Sequence, residues 1–134
     1  MSAGFAHPVR VYWEDTDAGG VVFYANYLKF FERARTEWLR AAGFGQQQMR
    51  DQFGLIFVVA ETAVRYLAPA RLDDQLSISV EAQPPRGATL ELAQAALRGD
   101  TRLADSRITI ACVDAATLSP RRIPKPILEA LFPA

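Results

Sequence analysis

The chain has 134 residues, half of them hydrophobic, and its fifteen basic side chains are balanced by fifteen acidic ones. That is enough apolar sequence for one domain with a core of its own, and it excludes a disordered chain. A formal net charge of zero excludes the strongly basic footprint of a nucleic-acid binder, and a single cysteine, Cys112, excludes an internal disulfide framework.

In chain order, the first element expected is a strand from Val9 to Glu14. Val9, Val11 and Trp13 alternate with Arg10, Tyr12 and Glu14, the two-residue period of a half-buried strand. The run Asp15-Thr16-Asp17-Ala18-Gly19-Gly20 then stops it with turn and cap formers. The clearest helix follows. Tyr27, Phe30, Phe31, Ala34, Trp38, Leu39 and Ala42 recur at helical spacing opposite a polar face, and Gly43 suits its C-terminal left-handed position. About 18 helical residues span roughly 27 Å. Phe30, Phe31 and Trp38 on this face read as core rather than as lining of a ligand pocket.

Four strands are expected after the helix. Leu55 to Leu67 is long and apolar in its first half. Leu76, Ile78, Val80 and Ala82 alternate with polar neighbours, and Pro84-Pro85-Arg86-Gly87 turns the chain. Ala88 to Leu97 has helical composition, but its place between two turn signals makes it a strand of a meander. Thr101 to Val113 is rich in β-branched residues, and Pro124 to Phe132 suits a short terminal helix. These elements predict an α+β fold in one domain, 1–134, with a five-stranded antiparallel sheet wrapped around a long central helix. No apolar run approaches the roughly 18 residues of a membrane span. The N-terminus has neither the basic nor the apolar region of a secretory signal, so a soluble, cytoplasmic protein is expected.

Elimination narrows the chemistry. There is no G-x-S-x-G elbow, no Walker or dinucleotide glycine loop and no Cys/His cluster for zinc. The only histidine, His7, stands beside Pro8 near a terminus expected to be mobile, which leaves a Ser-His-Asp or Cys-His pair without its base. Cys112, within Thr109-Ile110-Ala111-Cys112-Val113, reads as a small buried hydrophobe. The carboxylates Glu14, Asp15 and Asp17 remain. They suit turn and cap formation. A calcium loop fails, because Asn26 stands where the bidentate Glu belongs and a strand precedes the loop. The third reading is a catalytic carboxylate at a helix N-terminus. Gly19 and Gly20 admit close backbone approach. The bare amides and positive dipole of the helix would polarise a thioester carbonyl while Asp17 attacks it or activates water.

The run Val9-Arg10-Val11-Tyr12-Trp13-Glu14-Asp15-Thr16-Asp17-Ala18-Gly19-Gly20-Val21-Val22-Phe23-Tyr24-Ala25-Asn26-Tyr27 resembles the signature of the hydroxybenzoyl-CoA thioesterase family. Phe31-Glu32-Arg33-Ala34-Arg35-Thr36-Glu37 and Tyr66-Leu67-Ala68-Pro69-Ala70-Arg71-Leu72-Asp73-Asp74 are similar to its Tol–Pal-associated acyl-CoA thioesterase branch. The resemblance implies a hotdog fold, a dimer or dimer of dimers (a homotetramer) with active sites between subunits, and hydrolysis of acyl-CoA to acid and coenzyme A. It implies no cofactor, since coenzyme A arrives as part of the substrate, and no metal. Asp17 matches the essential carboxylate, nucleophile or general base, and Tyr24 the residue whose backbone amide polarises the carbonyl. Members of that branch usually carry histidine where this chain has Tyr24, and tyrosine there is similar to the aryl-CoA enzyme. Gly19, Gly20, Val21, Asn26 and Tyr27 are expected to line the substrate site. Arg65, Arg71, and Arg86 with Gly87 are candidates for the nucleotide phosphates. Acyl carrier protein as the alternative carrier, and a non-catalytic acyl-binding scaffold, are the rival readings.

Overall fold

The computed structural model describes residues 4–133. Residues 1–3 and 134, the outermost of the expected domain, lie outside the described residues, as does part of the N-terminus read for a signal. Strand β1 is Phe5–Arg10, followed by helix α1, Asn26–Ala41, and helix α2, Gln46–Phe53. Strands β2 (Leu55–Tyr66), β3 (Gln75–Ala82), β4 (Thr89–Arg98) and β5 (Thr101–Asp114) come next, and helix α3 is Lys125–Leu131. The strands form one antiparallel five-stranded sheet in the order β1-β3-β4-β5-β2. This is the expected α+β hotdog arrangement: the sheet curls around α1.

Period explains the burial. On α1, Tyr27, Phe30, Phe31, Ala34 and Leu39 are buried, the spacing of one helical stripe. They meet the inward positions of the sheet, Leu76, Ile78 and Val80 on β3, Leu90 and Leu92 on β4, and Ile108, Ile110 and Cys112 on β5. Removing each large apolar side chain from water contributes roughly 1.5–3 kcal/mol. Two β-bulges, between Val59 and Glu61 and between Ala96 and Leu97, interrupt the register, which increases local twist and bends the sheet. Among the described residues, no helix is long and apolar enough to cross a membrane.

Several sequence expectations are corrected. The first strand does not reach Glu14. The chain leaves β1 at Arg10, and Trp13–Asp15 is a 3-10 turn whose Asp15 carboxylate accepts the Tyr12 amide at 2.8 Å. Val9 and Val11 are buried as expected, but Trp13 is 80% exposed, because the alternating pattern outlasts the strand that justifies it. His7 lies within β1 opposite Ile78, not on a loose end. Helix α1 has 16 residues, and Gly43 beyond it has a φ of +93°. Trp38 is half-buried against the core rather than within it. Helix α2 is absent from the sequence reading. Its polar Gln46-Gln47-Gln48 start hides a stripe with Met49 as the one fully buried side chain.

Candidate active site

The segment between the 3-10 turn and α1 folds into a small hairpin. Thr16 pairs with Val22, the Asp17 amide donates to the Val21 carbonyl at 2.9 Å, and the Gly20 amide donates to the Asp17 carbonyl at 3.0 Å. Gly20 has a φ of +78°, a left-handed conformation that side chains other than glycine's resist. Gly19 is needed for space: a Cβ there would sit 3.2 Å from Asp17 Oδ1. The Gly19 amide donates to that same oxygen at 2.8 Å, so Asp17 does form a local turn. Its side chain is nevertheless exposed, and among the described residues Oδ2 has no hydrogen-bond partner. Turn formation therefore engages one carboxylate oxygen of Asp17 and leaves the other open.

Two ties, both through Asp15, hold this hairpin to the start of α1. The Phe23 amide donates to the Asp15 carbonyl at 2.9 Å. Asp15 itself is buried, and its two carboxylate oxygens accept the Tyr12 amide and the Asn26 side-chain amide, the latter at 3.1 Å. Beneath them runs the segment after β2. The Val22 amide donates to the Ala70 carbonyl at 2.8 Å, Val21 pairs with Arg71, and Tyr27 Oη accepts the Ala70 amide at 3.2 Å. Burial pushes the Tyr27 hydroxyl above its ordinary pKa, with the Ala70 amide pulling the other way. Asp74 steadies the same segment by accepting the Arg71 amide and the Arg98 guanidinium.

The N-terminus of α1 is open. Its N-cap is Ala25, no side chain caps it, and no acidic residue stands in its first turn. An uncapped, uncompensated dipole end makes such a terminus favourable for developing negative charge. Tyr24 lies just before the helix, and among the described residues no group accepts its amide hydrogen. Beside it is a cleft of about 300 Å³ lined by Val22, Tyr24, Tyr27, Tyr66, Leu67 and Pro69. Three aromatic rings form one wall. Tyr66 meets Tyr24 edge-on at 6.2 Å between centroids and Tyr27 at 5.4 Å.

The expected residues divide accordingly. Asp17, Gly19, Gly20, Val21, Tyr24, Asn26, Tyr27 and Arg71 converge on this one end of the sheet. Asn26 is committed to Asp15. Arg71 is exposed and, among the described residues, forms no ion pair. Arg65 is already paired with Asp105 at 2.8 Å. Arg86 and Gly87 lie in the β3–β4 turn, where Gly87 has a φ of +62°. Eight residues of β3 separate that turn from Arg71, roughly 24 Å of strand. Within one protomer the three arginines therefore do not form a single phosphate site. The sequence reading missed Asp15 as a tie and Tyr66 as a cleft wall. Tyr66 stood in the family-like run Tyr66-Leu67-Ala68-Pro69, and an outward aromatic at a strand end was the available signal.

The model of the thioesterase-like superfamily matches residues 11–131 of this sequence. The chain belongs to the thioesterase-like superfamily. Thioesterase-like relatives extend along nearly its whole length. It is 46% identical over 130 residues to the acyl-CoA thioesterase YbgC of Haemophilus influenzae, covering 97% of this chain and 96% of that one. It is 46% identical over 125 residues to the acyl-CoA thioester hydrolase YbgC of Escherichia coli, covering 92% of each. Among solved structures, a probable thioesterase from Bartonella henselae superposes with a TM-score of 0.87 at 35% identity, covering 91% of this chain and 100% of that one. The superfamily match, the fold and these relatives make the chain a thioester hydrolase.

Proposed function

We propose that this protein hydrolyses acyl-CoA thioesters, with Asp17 as the reacting carboxylate and the Tyr24 amide as the carbonyl-polarising group. The observation that carries the reading is the shared scaffold. One hairpin, tied by Asp15 and Ala70, carries an exposed carboxylate at its turn and leads directly into an uncapped helix start. The relatives' names, acyl-CoA thioesterase and acyl-CoA thioester hydrolase, support the same substrate class.

The thioester carbonyl oxygen accepts the Tyr24 N–H, and negative charge gathers there as attack proceeds. Asp17 either removes a proton from the attacking water or adds to the carbonyl carbon, forming a mixed anhydride that water then cleaves. In both routes the C–S bond breaks, the sulfur leaves as thiolate and is protonated, and one water is consumed. The acyl group enters the tyrosine-lined cleft. Arg71, bridged to Val21 of the hairpin and without an ion pair among the described residues, meets the nucleotide phosphates.

The site lies beside the free edge of β2, since Tyr66 is the last residue of that strand. Pairing of this edge with a second copy places the site at a subunit boundary, and such a dimer is part of the proposal. The deciding experiment is release of free thiol from a panel of aliphatic and aromatic acyl-CoA esters, run beside the same acyl groups on acyl carrier protein. Turnover of at least one acyl-CoA is expected. Turnover of the carrier-protein substrates alone would reassign the carrier, and turnover of neither would overturn the reading.

A further inference from the structure

We infer that Tyr66 is a positioning residue for the carbonyl-polarising amide, acting through its hydroxyl on the backbone of Tyr24. This inference rests on the role proposed above for that amide.

Two successive peptide planes flank the Tyr24 α-carbon. The Phe23–Tyr24 plane, which carries the Tyr24 N–H, is held because the Phe23 carbonyl accepts the Asn26 amide at 2.8 Å. The Tyr24–Ala25 plane has no such backbone tie. In a regular helix the Tyr24 carbonyl would accept the Leu28 amide, but that amide donates instead to the Ala25 carbonyl at 3.1 Å. The Tyr24 carbonyl is thereby left outside the helical ladder. Its hydrogen-bond donor is the Tyr66 hydroxyl, at 2.9 Å and 42 residues away in sequence.

With both planes held, the dihedrals at Tyr24 are fixed and the N–H points in one direction. With the second plane free, the Tyr24–Ala25 peptide can rotate and draw the Asn26 amide away from the Phe23 carbonyl, which releases the plane that carries the N–H. Preorganisation of such donors is what gives an oxyanion site its effect. Tyr66 is well placed for this. It ends β2, a strand anchored along its length to β5, and its ring is braced edge-on by Tyr24 and Tyr27. Partial burial, with Tyr24 nearby, pushes the Tyr66 hydroxyl above its ordinary pKa, so it remains a donor throughout the neutral range.

The test is Tyr66→Phe, which keeps the ring and removes only the donor. Wild type, Tyr66→Phe and Asp17→Asn are assayed together on one acyl-CoA. Tyr66→Phe is expected to lower kcat about tenfold, the size of one lost hydrogen bond, with KM and the thermal midpoint unchanged. A residue serving packing alone would not separate kcat from KM in this way. An inactive Asp17→Asn with an undiminished kcat for Tyr66→Phe overturns the inference while leaving the catalytic reading intact. A fully active Asp17→Asn overturns the catalytic reading itself. Backbone amide relaxation supplies a readout independent of turnover. The order parameter of the Tyr24 N–H is expected to fall from the rigid range, about 0.85, towards the flexible range, below about 0.6, in Tyr66→Phe. An unchanged order parameter overturns the inference.

Discussion

Asp15 and Asp17 stand two residues apart and do opposite jobs. Asp15 is 4% exposed and gives both oxygens to donors on neighbouring segments. Replacing it with Ala leaves the Tyr12 amide and the Asn26 side chain without their acceptor, at a cost of about 1–3 kcal/mol. Urea denaturation of Asp15→Ala should show that loss as a lower midpoint. Asp17 is exposed, so its substitution should leave the midpoint unchanged. Gly19 connects geometry to rate. Its replacement by Ala puts a Cβ 3.2 Å from Asp17 Oδ1, and displacing that carboxylate should lower kcat roughly tenfold, read by steady-state kinetics. At this scale the turn formed by Asp17, Gly19 and Gly20 was readable in the sequence, because a turn ahead of a helix constrains residue type tightly. It was unreadable for Asp15, since nothing in three acidic residues within four positions says which one turns inward. The arginines were readable only as cations, because their pairing is set by contacts distant in sequence, such as Arg65 with Asp105 on the facing strand.

Elements with strong periods were legible and elements with weak ones were not. The α1 stripe and the β3 alternation appear in the sequence as they do in the fold, whereas α2 buries fully only Met49 among its eight residues and leaves almost no periodic trace. The strand β4, expected over Ala88 to Leu97, shows tertiary context overriding propensity: it pairs with β3 and β5 along its edges while Leu90, Leu92 and Ala96 join the core. Phe31 on α1 is fully buried, and Phe31→Ala should destabilise the fold by about 3–5 kcal/mol in a denaturation experiment. The β2–β5 pair adds a pH dependence. Hydrogen bonding from Arg65 holds the Asp105 carboxyl below the usual carboxylate range, with partial burial opposing it and Arg102 assisting. A carboxylate whose folded pKa is depressed contributes stability above its unfolded value, near 3.9, and that contribution is lost as pH falls through the folded value. The denaturation midpoint should therefore decline below about pH 4, and less steeply in Arg65→Met than in wild type.

At the scale of the whole molecule, β2 is the exception to burial. Only Leu55 of its twelve residues is fully buried, and Val59 is 51% exposed. A long apolar strand with a free edge is a surface for pairing with another strand, which accounts for a segment whose sequence reads as buried while the single chain leaves it open. Light scattering is expected to show a dimer or a multiple of one, and Val59→Lys should shift it towards monomer with loss of turnover.

The carboxylate at the hairpin tip is tested most directly by kcat of Asp17→Asn on an acyl-CoA that the wild type turns over, with the oligomer verified intact. A fall of about 10²–10⁴-fold is predicted. A variant that keeps wild-type kcat would contradict the account, because the chemistry would then belong to some other group.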